Sequence, residues 1–212
     1  MQGRNLMKVL SMIVIATILV LMGCDNEEMK KTDTEKQTKT VKKQDKKVTI
    51  ASNEGKPQHE QLITVKLPPE ADYINDETLK VYEQDLKKYN NTRQLIADNS
   101  ITLLIGDYCY YDPVWDALEC SVVIVNGTDT RIEDLSFQVS IENKAMSEMK
   151  FLDNGVPELT KSQIGNFQPN TAVPMVLAFA EENPKDKEEN GIEIDTKNIT
   201  IKLKNIQYKM VE

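Results

Sequence analysis

Leu135-Ser136-Phe137-Gln138-Val139-Ser140-Ile141-Glu142 is the stretch that decides the fold. Apolar and polar residues alternate through it without a break. Leu135, Phe137, Val139 and Ile141 therefore share one face, and Ser136, Gln138, Ser140 and Glu142 the other. A period of two with one wet face marks a half-buried strand of an antiparallel sheet. Upstream, Asn126-Gly127-Thr128-Asp129 is turn chemistry, preceded by an apolar run over residues 118–125. Asp112-Pro113 separates that run from another, 101–110, so the pair reads as a hairpin. Downstream, Asn143-Lys144 turns into a candidate strand over 146–152, which Asp153-Asn154-Gly155 ends. Beyond a loop through Pro157, Ile164 and Pro169-Asn170, strands are predicted over 173–179 and 199–210. Short strands punctuated by turns predict an all-β fold, an antiparallel immunoglobulin-like sandwich, for residues 100–212.

Residues 61–99 read as a separate short strand and helix. The strand ends at Pro68-Pro69, neither of which can donate to a sheet. A helix over about 76–89 is predicted from Asn75 or Asp76 as cap, Glu77 in the first turn and a stripe of Leu79, Tyr82, Leu86 and Tyr89. That stripe is expected to pack on the parent domain. Residues 24–60 are mostly Lys, Thr, Glu, Asp and Gln. Such a segment cannot bury enough surface to offset its ordering entropy, so it is predicted to be a disordered, charged tether.

The chain begins with Arg4 and Lys8, then an apolar run over 9–22 that ends Leu21-Met22-Gly23-Cys24. This is the layout of a secretory signal, and it is shorter than the ~20 residues a bilayer span requires. The tetrapeptide resembles the lipobox of bacterial lipoproteins. The resemblance implies removal of residues 1–23, a diacylglyceryl group on the Cys24 thiol, and residence on the outer face of the cytoplasmic membrane. Two acyl chains hold a protein there stably where one is marginal. The Lys-, Asn- and Ile-rich composition resembles that of a low-GC Gram-positive bacterium.

The formal charge is −8, although residues 25–60 carry nine lysines against eight acids. The acidity thus belongs to the folded part, which argues against a nucleic-acid partner. With Cys24 assigned to lipid, Cys109 and Cys120 are left as an even pair flanking the hairpin tip. In an oxidising compartment they can form a disulfide, or they can stay as two buried thiols.

The strand into Asn126-Gly127, the alternating 135–141 strand, Phe151, the approach Ile164-Gly165-Asn166-Phe167-Gln168-Pro169-Asn170 and the strand from Pro174 to Phe179 resemble, in that order, the SLAP domain. That family is a β-sandwich module of Gram-positive bacteria linked to accessory secretion and surface-layer assembly. The resemblance covers roughly 100–180 and implies the sandwich and a role in that setting. The cysteine pair and the acidic segment 181–190 depart from the pattern.

No catalytic constellation emerges. The single histidine, His59, lies in the predicted tether, which leaves no His for a nucleophilic pair in the domain. No His/Cys cluster suits zinc, no Gly-rich loop suits a nucleotide, and neither a cofactor nor a metal is expected. Paired acids (Glu181-Glu182, Glu188-Glu189, Glu193 with Asp195) keep a small envelope hydrolase open as the alternative, although a solvated loop explains them too. The other singular feature is Tyr108, Tyr110, Tyr111 and Trp115 around the hairpin tip. Tyr110, Tyr111 and Trp115 are the candidate partner contacts; the competing reading has Trp115 folded back to cap the sandwich. The sequence therefore points to a non-enzymatic, membrane-anchored binding or assembly module whose partner is an envelope protein or a cell-wall polymer.

Overall fold

The computed structural model describes residues 46–184 and 190–211 of the protein. Along them run β1 (Lys46–Ser52), β2 (Gln58–Val65), α1 (Asp76–Tyr89), β3 (Thr92–Ala97), β4 (Ile101–Asp112), β5 (Ala117–Asn126), β6 (Arg131–Asn143), β7 (Asn154–Leu159), α2 (Lys161–Ile164), β8 (Thr171–Ala180), β9 (Ile192–Glu193) and β10 (Ile199–Val211). The signal, the lipobox with Cys24, most of the predicted tether and the Glu188-Glu189 pair lie outside the described residues.

The protein is mostly β, in two sheets. One has the order β1-β10-β6-β7 and the other β3-β2-β8-β5-β4-β9. Leu135, Phe137, Val139 and Ile141 of β6 enter a core shared with Cys120, Val122 and Ile124 of β5 and with Val173 and Phe179 of β8. The two sheets therefore pack face to face. On the outer face of the six-stranded sheet, Val123 and Val125 join Ile63, Val65, Ile96 and Tyr89 in a second cluster beneath α1. Alternate residues of β5 thus serve alternate cores. This explains a run of seven consecutive buried residues at the end of that strand, because a strand covered on both sides needs no polar face.

Three sequence expectations are corrected. Residues 46–60, read as tether, form β1 and the start of β2. Lys46 pairs with Met210 and Ser52 with Lys204, and half-buried Val48 and Ile50 pack on the main core. Composition alone cannot reveal an edge strand with so few apolar residues, since its order comes from the partner strand. The sandwich is also not purely antiparallel, because β2 runs parallel to β8 through Thr64–Thr171 and Val65–Ala172. Residues 61–99 accordingly belong to the same compact unit as the strands from β4 to β10. Finally, the strand expected over 146–152 is a single bridge, Phe151 to Glu181. The true pairing with β6 comes later, in β7, where Phe137 meets Val156.

α1 forms where its caps dictate. The Asn75 side chain accepts from Thr78 N at 2.8 Å, Asp76 and Glu77 occupy the first turn, and Lys87 and Lys88 the last; both charge placements suit the helix dipole. Its buried face holds a surprise between Tyr82 and Tyr89: Asp85, which is 0 % exposed. The carboxylate lies against Gly106, where β4 departs from regular pairing between Ile105 and Cys109. One oxygen accepts from Asp107 N at 3.2 Å, the Ser121 hydroxyl crowds the same Gly106 position as the carboxylate, and Oδ2 has no hydrogen-bond partner.

Burial raises the Asp85 pKa above its ordinary 3.8, against the smaller opposing effects of Ser121, the Asp107 N–H and Lys88. Above 3.8 and below the folded value, the folded chain binds this proton more tightly than the unfolded chain. The stability contributed by this group is thus fully present at acid pH and lost as pH rises through that window. Urea unfolding across the acid-to-neutral range should show that decline in the wild type. Asp85→Asn should lack it, and an identical slope in the two proteins would remove Asp85 as its source.

Candidate functional site

The β4–β5 hairpin is in direct register near its tip, with Tyr110 opposite Glu119, Tyr111 opposite Leu118 and Asp112 opposite Ala117. Its turn is written in the sequence. Asp112 Oδ1 accepts from Val114 N at 2.8 Å, and Asp116 takes a left-handed φ of 46°, a conformation that Asp tolerates better than most residues. Below the turn, Cys109 and Cys120 are opposite one another, 4.1 Å apart at Cα, and form a disulfide. Both are buried in the main core. The staple therefore crosses from strand to strand at the base of the exposed tip.

The three aromatic residues read together from sequence do not share a surface. Tyr111 is 1 % exposed and belongs to the core, so its assignment as a partner contact is corrected. Its hydroxyl lies 2.9 Å from Glu181 Oε2 and 3.2 Å from Asp116 Oδ1. Burial, then the bond to Asp116, pushes the phenol up to about 12. Tyr110 alternates to the other face, half-buried, and pairs with Glu193 of β9. Gly191 lies so close to its ring that a Cβ there would overlap the phenol. Trp115 is 76 % exposed, as is Val114 beside it. Rather than folding back over the sandwich, the indole stands in solvent.

The paired acids named from the sequence take different places. Glu181 is buried, and it secures the tip twice, through its side chain to Tyr111 and through its N–H to Asp116 O at 2.7 Å. Glu193 sits on β9, and Asp195 caps a 3-10 turn by accepting from Lys197 N at 3.0 Å. Glu193 and Asp195 nevertheless line one cavity together with Asp107, whereas Glu182, next to buried Glu181, lines another. His59 is exposed on β2, 2.8 Å from Asp98 Oδ1. Among the described residues no group of three or more His, Cys, Asp or Glu is placed to hold a metal ion, and no helix is long and apolar enough to cross a membrane.

Register places the tip within the domain. Lys46, the first described residue, pairs with Met210 near the end of β10, whereas Ile199 at the start of β10 pairs with Asn143. The Asn143 end of the sandwich is also where β8 runs out into Glu181 beneath the tip. Lys46 and the tip thus lie at opposite ends of the domain, separated by roughly 35 Å of extended strand. The chain enters at one end and presents Val114 and Trp115 at the other. No protein-family model, curated protein or solved structure matches this chain.

Proposed function

We propose that this chain is a lipid-anchored, non-enzymatic binding module on the outer face of the cytoplasmic membrane. In this reading an immunoglobulin-like sandwich captures an envelope protein with its β4–β5 tip. The observation that carries it is the exposure of Trp115 and Val114, 76 % each, on a disulfide-stapled hairpin remote from the residue where the chain enters. An indole left in water has a large apolar surface to bury against a partner, and Trp is enriched among residues that dominate binding energy. The lipobox supports the anchor, and the resemblance to the SLAP module supports export or surface-layer assembly as the setting.

Crosslinking on intact cells, with identification of captured material, tests this reading. Wild type should capture a discrete envelope protein. Trp115→Ala should lose it while its unfolding free energy stays within about 0.5 kcal/mol of wild type, as expected for an exposed side chain. Cys24→Ala should lose it through release from the membrane. Capture that survives Trp115→Ala would rule out the tip, and absence of any discrete protein in the wild type would turn the search to cell-wall polymer.

A further inference from the structure

The end of the sandwich that carries the tip also holds a cavity of about 490 Å³, walled by the last residues of β6, the 144–153 segment and Glu182. One side of it is apolar: Ile141 is a core residue, and half-buried Met149 and Phe151 pack against the same core. Asn143 lines it too, is only 5 % exposed, and accepts from Ala145 N at 2.9 Å through its side-chain oxygen. That bond fixes which way the amide faces, because a backbone N–H requires the oxygen. Nδ2 is then a buried donor with no partner. Leaving such a group unpaired is costly, and an arriving acceptor would relieve that cost.

Charge narrows the ligand. Of the three carboxylates in the lining, Glu142 is paired with Lys202 at 3.2 Å. Asp153 and Glu182 then stand against Lys144 and Lys150, so the remaining charges balance and favour no net-charged ligand. The lining therefore suits a neutral group with an apolar body and one hydrogen-bond acceptor.

We infer that this cavity binds an apolar residue of a peptide, its side chain against Ile141, Met149 and Phe151 and its backbone carbonyl on Asn143 Nδ2. The Met149 thioether suits such a surface, since methionine adapts to apolar groups of differing shape. The site is separate from Trp115 and stands whether or not the tip captures a partner.

The test uses the full chain in detergent micelles with ¹³C-methyl methionine, the Met149 resonance being assigned through Met149→Leu. Titration with N-acetyl-leucine methylamide should shift the Met149 methyl to saturation. The glycine analogue, which keeps the carbonyls but lacks the side chain, should bind at least about tenfold more weakly, a loss equal to about 1.4 kcal/mol. Asn143→Asp keeps the acceptor for Ala145 N and removes the donor, and should weaken the leucine probe by a similar factor. A Met149 methyl that does not move, a glycine analogue that binds equally well, or an Asn143→Asp protein that binds like wild type would each overturn the inference. The glycine comparison needs no variant, so the proposal stays open to refutation if Asn143→Asp fails to fold.

Discussion

Replacing Cys109 and Cys120 together with alanine is expected to lower the free energy of unfolding by about 3 kcal/mol. The bond joins residues separated by 11 in sequence, and in the chain-entropy account closing a loop of that length in the unfolded chain contributes that much. The cysteines sit directly opposite in the β4–β5 register with both side chains in the main core, and the alanines also lose some packing there. Urea unfolding of wild type, of reduced wild type and of the double variant measures the effect. Reduced wild type should show most of the loss, and the variant slightly more because it also gives up the cysteine side-chain packing. A loss well under 1 kcal/mol would mean that neighbouring pairs already hold the hairpin closed in the unfolded ensemble. The consequence for function is presentation: with the staple removed, Val114 and Trp115 lose the rigid base that holds them out from the sandwich.

Gly106→Ala should cost a similar amount, about 3 kcal/mol, for a different reason. A Cβ at this position would overlap the Ser121 hydroxyl oxygen and both carboxylate oxygens of Asp85. Asp85 is held in α1 and cannot retreat without disturbing Tyr82 and Tyr89, which are buried on the same helix. Overpacking a filled site typically costs about 1–3 kcal/mol, and loss of buried hydrogen bonds adds about 1–3 kcal/mol per group left unpaired. Thermal or urea unfolding would show the loss. Asp85→Ala combined with Gly106→Ala should recover part of it by clearing the space. If the single variant is as stable as wild type, α1 floats free of β4 rather than seating on it.

Much of the architecture was legible because burial on one face imposes a period of two. The alternation from Leu135 to Ile141 announced β6, Asp112-Pro113 and Asn126-Gly127 marked the turns on either side of β5, and Asn75 with Glu77 marked the start of α1. The same period could have separated Tyr110 from Tyr111. Adjacent residues on a strand face opposite sides, and Tyr111 has the parity of Cys109, which belongs to the core. Grouping the tyrosines by proximity in sequence concealed that signal. Trp115 escapes the rule because it lies in the turn, where no strand period dictates its direction.

Other features had no local signature. β1 offers only Val48 and Ile50 as large apolar residues, at the end of a long charged segment, so its order depends on β10, whose sequence lies some 150 residues away. Glu181 looked like the first residue of a solvated acidic segment, and only its approach to Tyr111 and Asp116 makes it part of the tip. Asp85 follows a tyrosine stripe as an ordinary helix carboxylate, and nothing near it in sequence predicts that Gly106 and Ser121 will enclose it. The sequence by itself determined the strand-rich class, the hairpin, the helix and, through Leu21-Met22-Gly23-Cys24, the expectation of a lipid anchor. These are properties of short windows, governed by periodicity and turn chemistry. Tertiary structure alone decided which aromatic side chain is exposed, which acids are buried, and where an unpaired amide meets an apolar wall. Those outcomes depend on side chains distant in sequence competing for the same space and the same hydrogen bonds.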